Sequence, residues 1–196
     1  MIHINLLTPP IRAQAGVDYR LAGPSQAQPR AVYRSTKTYD HNVGLSCCFR
    51  QWRASHSHCQ LLHGYALAFT FVFATQDLDE RNWCFDFGAL KSVKAWLQDT
   101  FDHTLVVAAD DPELPALQAL ASRGLADLRV LPAVGCEAFA QQAHVHVSGF
   151  LNAETGDRVW LESVEVREHG ANSATYQVAR PGLARAIAFG TVLGVG

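Results

Sequence analysis

Residues 58–73, HCQLLHGYALAFTFVF, constrain the fold more than any other stretch. Leu67, Phe69, Phe71 and Phe73 occupy every second position, with Ala68, Thr70, Val72 and Ala74 between them. That alternation is a β-strand with its bulky face turned to one side. A polar turn with His58, Cys59 and His63 runs straight into it, mounting a thiol and imidazoles on a rigid support.

The remaining segments supply partners for that strand. An extended stretch begins near Ala31 and is clearest over Leu45–Trp52. It reads as the other arm of an antiparallel hairpin, joined through the polar segment Arg53–Gln60. After a charged turn at Gln76–Asn82, WCFDFGALK leads into a helix. Its Leu90, Val93, Leu97 and Phe101 fall three and four apart, one stripe for a sheet to receive. Residues 105–132 read as an insertion: DDPEL opens a short helix through Ser122, Gly124 stops it, and LRVLP is a short strand. A second helix runs from about Cys136 to Leu151 with Phe139, Ala143, Val147 and Phe150 on one face. Val159–Glu168 and Thr175–Ala179 are strands separated by the GANSA turn.

The order strand, strand, helix, helix, strand, strand predicts an α+β unit. It is a four-stranded antiparallel sheet with both helices on one face. Its open edges favour self-association. Residues 1–30, with Pro9, Pro10, Pro24 and Pro29, read as an N-terminal arm. Residues 31–180 form the domain and 181–196 a C-terminal tail.

Composition narrows the class. The formal net charge is −2 with no Lys/Arg-rich run, which argues against nucleic acid and lipid surfaces as partners. The longest apolar run, Tyr65–Ala74, is too short to span a membrane. The start has neither a basic flank nor a small-residue cleavage site, so no signal peptide is expected. Five cysteines without framework spacing favour reduced thiols and a cytoplasmic location.

Several residues could carry chemistry. Cys59 lies among His56, His58 and His63, and imidazolium neighbours favour a thiolate, the form that acts as base or nucleophile. A structural thiol in a histidine-rich turn is the alternative. Asp102–His103 pairs a carboxylate with an imidazole, which holds a tautomer and a proton; a solvated helix end reads the same way. Glu168 closes a strand, where a carboxylate grips a planar N–H/NH₂ edge or is simply an exposed acid. His144 and His146 are two apart on a helix, face different sides and read as structural.

In combination, HCQLLHGY, WCFDFGALK, FDH, CEAFA and SVEVREHGANSATY resemble the 6-pyruvoyl-tetrahydropterin synthase and 6-carboxy-tetrahydropterin synthase family over roughly residues 43–178. The resemblance implies the tunnelling fold and assembly into a homo-oligomeric ring, a hexamer, with active sites between subunits. It also implies lyase chemistry on 7,8-dihydroneopterin triphosphate, in pterin or queuosine-precursor biosynthesis. Cys59 takes the place of the catalytic cysteine. Asp102 and His103 take the place of the proton-relay pair, and Glu168 that of the glutamate that anchors the pterin. Glu137 matches a glutamate opening the second helix.

The family's zinc is implied too, but its ligands are three histidines, one in the first strand and two in a His-Gly-His turn. Here the turn is His63-Gly64-Tyr65, and in LSCCFRQW the nearest equivalents are Cys48, Phe49 and Arg50. His63 alone survives, and zinc needs three protein ligands. Two repairs are open: His56, His58 and His63 gathered in the turn, or Cys48 joining His63 across the hairpin. The alternative function is a metal-free member of the fold that binds a pterin or purine with different or no catalysis.

Overall fold

The computed structural model describes residues 31–179; the arm 1–30 and the tail 181–196 lie outside the described residues. Strand β3 (His63–Thr75) is the spine. On one edge it pairs with two antiparallel strands, β1 (Tyr33–Tyr39) along Phe69–Thr75 and β2 (Leu45–Phe49) along His63–Leu67. The extended stretch expected from the sequence is therefore one strand broken in two. The break is local: Asp40 accepts a hydrogen bond from the Asn42 N–H, and Gly44 adopts a left-handed φ of 80° that favours glycine. On its other edge β3 pairs with β6 (Val159–Arg167), which pairs with β7 (Ser173–Gln177).

These strands are the antiparallel sheet expected from the sequence, but the complete sheet is larger. Among the described residues it has seven strands in the order β5-β4-β2-β3-β6-β7, with β1 also on β3. The expectation of four strands and two helices is thus corrected. The added pieces are β4 (Thr104–Ala108), α2 (Leu114–Ser122) and β5 (Asp127–Leu131), a parallel β-α-β unit on the free edge of β2. Every residue of β4 is buried. Val106 faces the main core, whereas Leu105 and Val107 pack with Leu117 of α2 on the opposite face. A strand covered on both faces shows no alternation, which is why its sequence does not announce it.

Helices α1 (Lys91–Phe101) and α3 (Cys136–Thr155) cover the phenylalanine face of β3. Phe101 stands 5.0 Å from Phe69 and 5.1 Å from Phe139 between ring centroids. Phe69, Phe71, Phe73, Leu97, Phe101 and Phe139 are all fully buried, each contributing about 1.5–3 kcal/mol relative to exposure. His144 is buried, donating from Nε2–H to the Leu161 carbonyl (2.9 Å), and His146 stacks on Trp96 at 4.2 Å. His144 is thus part of the core, whereas His146 stands on the exposed face of α3 against Trp96. No helix among the described residues is long and apolar enough to cross a membrane.

Candidate active site

Cys59 lies in a single 3₁₀ turn, His58–Gln60, whose start is capped by the Ser57 hydroxyl accepting from the Cys59 N–H at 3.2 Å. The Gln51 N–H donates to the Cys59 carbonyl at 2.8 Å, closing the loop between β2 and β3. The inserted β-α-β unit locks this loop from the side. Arg50 donates two hydrogen bonds to the buried Asp111 carboxylate, both 2.8 Å, and a third of 3.5 Å to the Gln60 carbonyl. Asp110 accepts from Trp52 Nε1–H at 3.2 Å and pairs with Arg53. The guanidinium beside Asp111 holds its carboxyl below the usual range.

At the same end of the sheet, four rings meet. Phe49 pairs with His63 across the β2–β3 ladder, and their centroids are 4.9 Å apart. Tyr65 lies 5.6 Å from His63, 6.4 Å from Phe49 and 5.8 Å from His169. His63 Nδ1–H donates to the Leu61 carbonyl at 2.7 Å, leaving Nε2 with its lone pair. His169 Nδ1 accepts from the Ala171 N–H at 3.2 Å, which puts the proton of the neutral ring on Nε2. Burial raises the Tyr65 phenol pKa, with Glu168, Cys59 and Cys136 adding to the rise. The phenol is therefore neutral and a donor at physiological pH.

Glu168 stands one residue past β6, its N–H donating to the Asn172 carbonyl at 3.2 Å to close the turn into β7. It lies beside Cys136 at the first turn of α3; burial pushes that thiol up to about 12, with Glu168 and Glu137 contributing. Glu137 is exposed in the same turn, where a carboxylate suits the helix dipole. Gly135 before it has φ 108°, and an added Cβ would meet the Gln51 amide nitrogen at 2.4 Å, so the start of α3 seats directly against the Cys59 loop.

Among the described residues, Asp102 and His103 share no side-chain hydrogen bond or ring contact with this cluster. His103 Nδ1–H donates to Asp102 at 2.6 Å, and the His103 side chain is 88% exposed. His103 takes a left-handed φ of 56°, held by its N–H donating to the Ser46 carbonyl at 2.7 Å. Ser46 is three residues along β2 from Phe49, about 10 Å. Among the described residues, no hydrogen bond or ion pair joins this couple to Cys59.

The structure brings Cys59, His63, Glu168 and Glu137 near Tyr65, which the sequence shows only as a replaced ligand, and near His169, Cys136 and the Arg50–Asp111 clamp, which the sequence does not single out. HGY and REH did place Tyr65 and His169 in suspicious motifs, but only the fold brings the two motifs together.

The family model described as 6-pyruvoyl tetrahydropterin synthase matches residues 39–179. The chain belongs to that family. Among curated relatives, 6-carboxy-5,6,7,8-tetrahydropterin synthase from Rickettsia felis is 37% identical over 57 residues, 29% of this chain and 41% of the relative. The enzyme of the same name from Rickettsia conorii is 35% identical over the same length and shares. The chain therefore spans well under half the length of the curated relatives it matches. Among solved structures, an uncharacterized protein from Wolinella succinogenes superposes with a TM-score of 0.63 at 18% identity, covering 75% of this chain and 98% of that one. A 6-pyruvoyl tetrahydropterin synthase from Plasmodium vivax gives 0.55 at 13% identity, covering 74% and 97%. At these identities the likeness is one of fold.

The zinc that the family resemblance implies does not fit the residues present. Phe49 is the ring that faces His63, so the first-strand ligand position holds a hydrocarbon, and Tyr65 replaces an imidazole. Cys48 is no substitute, because it turns to the opposite face and packs with the Leu105–Val107–Leu117 cluster. His56 and His58 are exposed, and no group of three ligating side chains gathers among the described residues.

Proposed function

We propose that the chain is a 6-pyruvoyl/6-carboxy-tetrahydropterin synthase-like lyase acting on 7,8-dihydroneopterin triphosphate, with the metal site altered by the replacement of two of the three expected zinc histidines. The observation that carries this reading is the gathering of Cys59, His63, Tyr65 and Glu168 at one end of β3, in a chain of this family. Glu168 accepts two hydrogen bonds from the N–H/NH₂ edge of the pterin, which orients the ring. Cys59 takes a proton from a side-chain carbon. The Asp102–His103 couple accepts and returns protons at the side-chain hydroxyls. When the proton leaves the carbon next to the phosphorylated one, the C–H electron pair forms a C=C bond as the C–O bond to triphosphate breaks, and the triphosphate leaves with that bond's electron pair.

The reading requires the couple to reach Cys59 through self-association, with Asp102–His103 of one copy completing the site of the next. The 88% exposure of His103 and the exposed Leu61 and Leu62 before His63 support it, as do the unpaired outer edges of β5 and β7 among the described residues. All five cysteines are free, in keeping with a cytoplasmic setting.

The experiment is triphosphate release from 7,8-dihydroneopterin triphosphate. Cys59→Ala lowers turnover at least about a hundredfold while leaving pterin binding intact; unchanged turnover reduces Cys59 to packing. A second reading is a metal-free pterin- or purine-binding protein with different or no catalysis. Phe49 and Tyr65 at the ligand positions favour it. Pterin binding that depends on Glu168, with no turnover by the wild-type protein, selects it.

A further inference from the structure

The Phe49–His63–Tyr65 triangle lacks the donors for a metal, but it is not chemically empty. Three polar groups remain on the rings of His63, Tyr65 and His169. His63 Nε2 is an acceptor, because Nδ1 spends its proton on Leu61. His169 Nε2–H is a donor, because Nδ1 is occupied by the Ala171 N–H. The Tyr65 hydroxyl is both donor and acceptor, and its ring touches both imidazoles. The wall behind them is Phe49, which packs on Phe139 and offers no competing polar group. Hydroxyls of a ligand are themselves donors and acceptors, so an alternating set of this kind matches a polyol better than an anion or a metal. Neither histidine is free to switch tautomer without losing a backbone bond, so the set is preorganised.

We propose that Tyr65, flanked by His63 and His169, forms a metal-free subsite that hydrogen-bonds the hydroxyl-bearing side chain of a pterin ligand. This rests on the pterin reading above. Tyr65 is the specificity-determining residue of the subsite, acting through directional hydrogen bonds. His169 supplies a donor from the turn that follows Glu168, so the residues that hold the ring and the side chain are adjacent in sequence.

The test has two arms. In the first, the protein is incubated with zinc, gel-filtered and analysed for metal. Wild type retains well under one equivalent, whereas the Phe49→His, Tyr65→His double variant, which restores three imidazoles, gains about one zinc per chain. A full equivalent on wild type overturns the metal-free assignment, and no gain in the double variant overturns its attribution to Phe49 and Tyr65. In the second, binding of neopterin, with its trihydroxypropyl side chain, is compared with binding of 6-methylpterin, the same ring without hydroxyls. Wild type prefers neopterin by about five- to tenfold. Tyr65→Phe removes that preference, lowering neopterin affinity to about that of 6-methylpterin. Equal binding of the two by wild type, or a preference that survives Tyr65→Phe, overturns the subsite. Failure of both compounds to bind overturns the pterin reading instead, and leaves the first arm to judge the metal.

Discussion

Phe49 stands directly across the β2–β3 ladder from His63, with the two ring centroids 4.9 Å apart. That pairing fixes what the end of β3 can be. A side chain directly across the ladder from a histidine is the natural second donor to a shared ligand, and here it is a phenyl ring packed edge-on to Phe139. The polar side chains at this end stand further along, Tyr65 on β3 and Glu168–His169 beyond β6.

The ladder itself is tight at Gly64. A Cβ there would stand 2.9 Å from the Cys47 carbonyl oxygen, a backbone atom that cannot swing aside. Gly64→Ala therefore destabilises the protein by about 1–3 kcal/mol, read as a lower urea midpoint with an unchanged denaturant slope.

The clamp between the inserted unit and the Cys59 loop predicts a second loss. Asp111→Ala leaves Arg50 without its carboxylate in a mostly enclosed setting, a cost of about 1–3 kcal/mol after allowing for the 22% exposure of the Arg50 side chain. The folded-state carboxyl of Asp111 lies below its unfolded value, so its contribution is complete above the ordinary carboxylate range and fades as pH falls through the lowered one. Acid unfolding of wild type is correspondingly steeper than that of Asp111→Ala, measured by circular dichroism between pH 6 and pH 2 (approximate limits).

Burial holds His144 and His146 below the usual imidazole pKa. The unfolded chain then binds more protons than the folded one as pH drops below about 6.5, so stability is full above that value and declines beneath it. His144→Gln, which keeps a donor for the Leu161 carbonyl, flattens this decline; urea midpoints on either side of about pH 6.5 check it.

How far the sequence led depended on whether a feature was local. The alternation in Leu67–Phe73 and the stripe Leu90–Val93–Leu97–Phe101 located β3 and α1 because burial on a single face prints its period into the residues. Strand β4, TLVVA, is covered on both sides and carries no such print, so the parallel extension of the sheet appeared only in three dimensions. The same limit applies at the site. His63 and Glu168 stood in recognisable motifs, but the contact of Tyr65 with His169 joins residues 104 apart, and the grip of Asp111 on Arg50 joins residues 61 apart. Neither leaves a local pattern.

Thiol reactivity separates the five cysteines. Burial pushes Cys47 and Cys136 up to about 12 and raises Cys48 and Cys84 as well, so these resist alkylation in the folded protein. Brief iodoacetamide treatment, read by residue-resolved mass spectrometry, labels Cys59 first. Equal labelling of Cys59 and Cys47 contradicts the placement of Cys59 in an accessible turn.

The most direct test concerns the separation of Cys59 from Asp102–His103 within one chain. Cys59→Ala and His103→Ala variants are each expected to release little triphosphate from 7,8-dihydroneopterin triphosphate. Mixed by co-expression, they assemble sites that take the thiol from one copy and the acid–imidazole couple from the other, and a substantial fraction of wild-type release returns. A mixture as inactive as its two components contradicts the account.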